Sequence, residues 1–184
     1  MIAQTASTSN FRQAYSIVWL QDQELREQVG KWSGNELQFK TCGAAFVLVV
    51  DFFRLKLACE KNEGQIHADS AENLLLGCTD AAIFAERLAT ACELMGYNLC
   101  YIGGVRNSIV DIDEALKLPQ YTFPLFGLTI GRAKSEADIP GVKPRLPVQS
   151  VLHQNTYKSA EEQQTFVDAF DATTNAYYLS RPTG

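Results

Sequence analysis

The run Ala45-Phe46-Val47-Leu48-Val49-Val50-Asp51 constrains the fold more than any other stretch of the chain. Its apolar residues follow one another without alternation, and most are β-branched or aromatic. Such a run predicts a strand covered on both faces, so its sheet needs elements packed on either side. Three further strands are expected, at residues 16–20, 99–102 and 121–130. The segment Leu99-Cys100-Tyr101-Ile102 is short and apolar and reads as buried. Pro124 marks the last strand as an edge or a bulge, because proline cannot donate to a ladder.

Helical patterns fill the intervals. Asp22 is placed to cap a helix through Val29, and residues 55–59 continue as another. Asp69 followed by Glu72 reads as a capping box that opens the longest helix. Leu75, Cys78, Ala82, Ala85, Ala89 and Cys92 are then directed inward, with Gly77 alongside. Small residues at this spacing suit close packing, in the core or against a second subunit. Gly96 suits the left-handed position just past a helix end. Residues 109–118 read as a short helix stopped by Pro119. Ser159 with Glu162 forms a second capping box, opening a helix through Phe166, Val167, Phe170 and Tyr177 to Leu179. Residues 1–6 look like the last turn of a helix. Residues 39–44 are weakly patterned, and residues 7–10, 61–64 and 131–141 read as loops. One domain, 1–184, is the expectation for 184 residues.

Composition narrows function by exclusion. A net charge of −5 gives no electrostatic footprint for nucleic acid or an anionic membrane. No apolar run is long enough to span a bilayer, and Met1 is not followed by a basic-then-apolar leader, so a cytoplasmic protein is expected. Five cysteines in apolar surroundings, with no C-x-x-C pair, argue against a disulfide framework. His67 and His153 stand at no metal-ligand spacing with a cysteine, so no metal is expected. The chain has no G-x-S-x-G, P-loop or G-x-G-x-x-G.

Two stretches carry chemistry. Gly103-Gly104 follows an apolar strand and lets a flat ligand or another backbone come close; an ordinary glycine turn is the plainer reading of the dipeptide. Lys143-Pro144-Arg145 sets two cations around a rigid proline, which suits either a phosphate clamp or a solvated basic loop. Ser7-Thr8-Ser9-Asn10 is rich in hydroxyls that can donate to an anion, or form a plain turn.

Taken together, three motifs resemble the flavin-dependent nitroreductase family, in its oxygen-insensitive, NADPH-preferring branch of nitroreductases and flavin reductases. They are Tyr101-Ile102-Gly103-Gly104-Val105-Arg106-Asn107, then Leu118-Pro119 with Pro124-Leu125-Phe126-Gly127-Leu128, and Lys143-Pro144-Arg145-Leu146-Pro147 followed by His153. The resemblance covers nearly the whole chain. It implies an α+β fold with a mixed central sheet flanked by helices, an intertwined homodimer, and FMN as cofactor. It implies two-electron, ping-pong transfer from NADPH to a nitroaromatic, a quinone or a flavin. It places Tyr101, Ile102, Gly103 and Gly104 against the isoalloxazine, Lys143 and Arg145 on the FMN phosphate, and Thr8 near the cofactor. Arg181 matches an arginine that meets the extra phosphate of NADPH. No catalytic acid, base or nucleophile is implied. The chain departs from the family pattern at Glu36 and Gln38, where a flavin-bonding glutamine and often a tyrosine stand. Relative to that pattern the N-terminal helix with its arginine-serine motif and the C-terminal arm are missing. The alternative expectation is therefore a non-enzymatic truncated paralogue that keeps the fold with weak or no FMN binding.

Overall fold

Residues 44–51 do lie at the heart of a sheet. The structure, a computed structural model, describes residues 2–135 and 141–181. Its contacts group the chain into two compact units, Met1–Lys134 and Ser135–Gly184, where length alone suggests one domain. Met1, the middle of the expected 131–141 loop, and Pro182, Thr183 and Gly184 lie outside the described residues.

In the first unit, β1 (Tyr15–Trp19), β2 (Ala44–Asp51), β3 (Asn98–Ile102) and β4 (Thr122–Gly131) form one sheet in the order β1-β2-β4-β3. Every pairing is antiparallel. The mixture in this α+β fold is therefore one of helices with strands, and a parallel pairing is absent among the described residues. The helices are α1 (Gln23–Trp32), α2 (Glu36–Thr41), α3 (Phe53–Lys61), α4 (Ala71–Leu94) and α5 (Ile109–Leu116).

β2 is covered on both faces, as its sequence demands. Leu48 and Val50 pack in one cluster with Tyr15, Phe52, Leu76, Phe84 and Leu128. Ala45, Val47 and Val49 pack in another with Leu20, Val29, Phe39, Ile102, Val105 and Ile112. The first cluster rests on α4; the second joins α1, α2, α5 and the turn after β3.

Several expectations need correction. Ser70, not Asp69, caps α4, accepting the N–H of Asn73. Its buried face holds Leu76, Gly77, Asp80, Ala81, Phe84, Ala85 and Ala89, while Leu75 is 65% exposed. Gly77, Ala85 and Ala89 are buried as expected and Cys78 and Cys92 partly so, but Ala82 faces out with Leu75, because Phe84 stacks on Tyr15 at 4.5 Å and Asp80 is drawn inward by main-chain donors. β3 is an edge strand, so of residues 99–102 only Ile102 is buried. Residues 36–41, not read as an element from the sequence, form α2, held by the fully buried Phe39.

Pro124 sits at a bulge. Leu48 pairs with Phe126 and Val49 with Pro124, which leaves Leu125 unpaired on β4. The Leu125 carbonyl is taken by Arg106 Nη1 at 2.6 Å. Gly96 has φ of 79° after α4, as expected, and Asp22 caps α1 by accepting the N–H of Leu25 at 2.7 Å.

The second unit contains α6 (Val148–Val151) and α7 (Ala160–Leu179). The Ser159–Glu162 capping box forms in full. Gln163 ties the two helices, accepting from the Ser150 hydroxyl at 2.9 Å and donating to the Ser150 carbonyl at 3.1 Å. Among the described residues no helix is long and apolar enough to cross a membrane.

Candidate functional site

Gly103 opens a 3-10 turn, Gly103–Ser108, directly after edge strand β3. Its two glycines have different reasons. A Cβ on Gly104 would lie 2.0 Å from the Ser33 carbonyl oxygen and 3.0 Å from Asn35 Nδ2. The Cβ direction at Gly104 is thus closed by the chain's own backbone, one of the two close approaches that a bare residue allows. Gly103 stays exposed, and a Cβ there would meet only the Arg106 guanidinium, at 3.2 Å. Arg106 therefore does two things: it borders Gly103 and satisfies the β4 bulge.

The contact at Gly104 joins segments about seventy residues apart. Ser33 is buried, and its carbonyl accepts from Asn35 Nδ2 at 2.7 Å. Gly34, with φ of 66°, turns the chain into α2, whose first residue is Glu36. Both Glu36 and Gln38 are exposed. The fold thus brings the glycine turn beside the start of α2, a neighbourhood that the resemblance assigns to one cofactor.

Tyr101 stands on β3 next to this turn, 45% exposed, edge-on to Phe126 at 5.6 Å. Its hydroxyl donates to Glu86 on α4 at 3.3 Å. Burial, with the Glu86 charge beside it, pushes the phenol up to about 12. It remains an O–H donor throughout the neutral range.

Thr8 is half-buried and extended (φ −135°, ψ 151°), and its side chain caps nothing. Its anchor is α4, where Asp80 accepts the N–H of neighbouring Ser9 at 2.8 Å.

In the second unit Lys143 and Arg145 are both exposed. Arg145 Nη1 donates back to the carbonyls of Lys143 and Pro144, at 3.1 Å each, so the arginine stiffens the loop that carries the lysine. His153 stacks on Tyr157 at 4.1 Å, and its Nδ1 accepts the N–H of Lys158 at 3.2 Å. The Arg181 guanidinium lies 5.2 Å from the centre of the Tyr177 ring.

Residues 2–132 match the nitroreductase family pattern, and residues 143–184 match that of the nitroreductase family C-terminal domain. The chain belongs to the nitroreductase family. It is 49% identical over 179 residues to a protein of Pseudomonas sp. (strain G-1) named Cr(VI) reductase, covering 97% of this chain and 72% of that one. A Bacillus subtilis protein named FMN reductase (NADPH) is 37% identical over 185 residues, covering 99% and 73%. Among solved structures, the NfrA1 nitroreductase from B. subtilis superposes with a TM-score of 0.91 at 35% identity, over 96% of this chain and 71% of that one. The NADPH:FMN oxidoreductase from Vibrio harveyi complexed with NAD+ gives 0.87 at 33%, over 96% and 73%.

FMN is the group this nitroreductase-family fold implies, and most of the residues present suit it. The glycine turn opens without a side-chain cap, beside the exposed Gly103 and Tyr101. Gln38 has an amide to donate, and Lys143 and Arg145 are cations suited to a phosphate. Glu36 is the exception. A carboxylate accepts hydrogen bonds only, so it cannot serve a flavin carbonyl. Glu36→Gln is expected to tighten FMN about five- to tenfold, since one hydrogen bond contributes roughly 1 kcal/mol. Flavin-fluorescence titration of cofactor-free protein measures this, and unchanged or weaker binding would remove Glu36 from the site.

Proposed function

We propose that this chain oxidises NADPH and reduces a nitroaromatic, a quinone or a free flavin by two-electron transfer, with donor and acceptor visiting one place in turn. At the coarser level it is an NADPH-dependent flavin oxidoreductase, with FMN as cofactor and NADPH as electron donor. FMN, when bound, supplies the hydride chemistry itself, so no side chain is assigned as acid, base or nucleophile. The chain's own residues bind and orient. Tyr101, Ile102, Gly103 and Gly104 present one wall of main chain. Gln38 offers a donor near the start of α2, Thr8 offers a hydroxyl, and Lys143 and Arg145 take the phosphate. Arg181 meets the extra phosphate of NADPH.

The observation that carries this reading is the meeting of the Gly103–Gly104 turn with the Ser33–Glu36 turn, at the place two separate motifs assign to one ligand. A homodimer is part of the proposal. Ile83, Leu94 and Met95 on or just past α4, with Ile2 beside them, leave an exposed apolar face lining a cavity of about 720 Å³. Free thiols at all five cysteines suit a cytoplasmic setting.

Purified full chain tests it. The expected protein is yellow and oxidises NADPH when a quinone is added, faster than NADH at equal concentration. Colourless protein that gains no activity with excess FMN would favour the non-enzymatic alternative.

A further inference from the structure

Asp80 lies in the middle of α4, 1% exposed, and spends both carboxylate oxygens on the main chain of a single loop. Oδ1 accepts the N–H of Ser9 at 2.8 Å, and Oδ2 accepts that of Ala14 at 3.1 Å. Between these two points Asn10, Phe11 and Gln13 have φ of 48°, 58° and 50°. Asparagine tolerates that region, but for Phe11 and Gln13 it is unfavourable, and strain of this kind persists only where the surroundings hold it. The surroundings here are identifiable. Arg54 Nη2 donates to the carbonyls of Gln13 and Tyr15, at 3.1 and 2.6 Å, and Arg12 Nη1 donates to Asn73 on α4 at 3.1 Å. Asp80 alone grips both ends, and a buried carboxylate with two N–H donors is a strong clasp.

The residue just ahead of this clasp is Thr8, whose hydroxyl caps nothing. We propose that Asp80 is a positioning residue, holding the strained 9–14 loop by its ends and so fixing Thr8 where its hydroxyl meets FMN. This inference rests on the FMN reading above. Asp80 touches no substrate; it acts through the loop. The buried acid in an otherwise apolar helix face thereby has a purpose beyond packing.

Asp80→Asn tests it with almost no change of volume, because the amide keeps one acceptor and turns an NH2 against the other main-chain N–H. Amide exchange across residues 8–14 of the cofactor-free full chain is expected to rise about tenfold or more. The Kd for FMN should rise about tenfold, and the visible band of the bound flavin should shift toward that of free FMN. Thr8→Ala alone should weaken FMN similarly, and adding it to Asp80→Asn should cost less than about twofold more, since both act through one contact. A merely structural Asp80 gives multiplicative losses in the double variant, which would overturn the proposal. In the unaltered protein the Ser9 and Ala14 amides should exchange far more slowly than those of Asn10, Phe11 and Gln13; equal rates would also overturn it, whether or not Asp80→Asn folds. An unaltered chain that binds no FMN overturns the functional reading. FMN bound equally by the unaltered chain and folded Asp80→Asn overturns this inference alone.

Discussion

Gly104→Ala is expected to lower the midpoint of thermal unfolding by roughly 6–12 °C, and Gly103→Ala by no more than about 2 °C, taking about 2–4 °C per kcal/mol for a chain of this size. The two residues are neighbours in one turn, yet a methyl group meets different obstacles at each. At Gly104 it would lie 2.0 Å from a carbonyl oxygen of the main chain. That carbonyl belongs to buried Ser33 and is already pinned by the Asn35 side chain. Displacing the Asn35 side chain, 3.0 Å away, would not relieve a clash with main chain, so the turn or the α1–α2 connection must move. Overpacking of this severity costs about 3 kcal/mol. At Gly103 the nearest atoms are the far end of Arg106, at 3.2 Å, and a guanidinium can swing a few tenths of an ångström. Thermal denaturation of the two cofactor-free variants, followed by circular dichroism, decides the matter. Equal midpoints would mean that the Ser33 contact does not fix the turn.

This pair also shows what could be read from the sequence. That two bare residues in succession imply a close approach was legible; that the second approach is to Ser33 was not, because the partner is about seventy residues away and acts through a carbonyl that every residue has. The coverage of β2 on both faces was legible because six successive positions, Ala45 to Val50, are apolar. The inward face of α4 was legible only in part, at Gly77, Ala85 and Ala89, since a helix rich in alanine and small residues offers two stripes of nearly equal merit. Asp80 counts against the true face in any hydrophobic pattern, although its main-chain partners make that face the buried one. β3 looked buried because four apolar letters say nothing about which strand ends a sheet. Arg106 stood inside a motif without a stated task, and only the bulge at Leu125 supplies one. The residues of the candidate site were visible through the family motif. Periodicity and spacing alone left each of them with an ordinary structural explanation.

Replacing Lys143 and Arg145 together with alanine is expected to raise the Kd for FMN by about 10²- to 10⁴-fold, from roughly 1.5–3 kcal/mol for each hydrogen bond to a charged group. Riboflavin, which lacks the phosphate, should bind the double variant as it binds the unaltered chain. The single variants should not sum. Arg145 donates to the carbonyls of Lys143 and Pro144, so Arg145→Ala both removes a fork and loosens the loop under the lysine. Lys143→Ala should therefore cost less in an Arg145→Ala background than alone. Arg145→Lys should rescue little, because a point charge cannot bridge two carbonyls and a phosphate with one planar group. Raising the salt concentration should weaken FMN in the unaltered chain and do much less in the double variant, since both cations are exposed and screened. Fluorescence titration with FMN and riboflavin in parallel reads all of these. Equal losses for the two ligands would show that the cations shape the second unit rather than grip a phosphate, and no loss for either would leave Lys143 and Arg145 as a solvated basic loop.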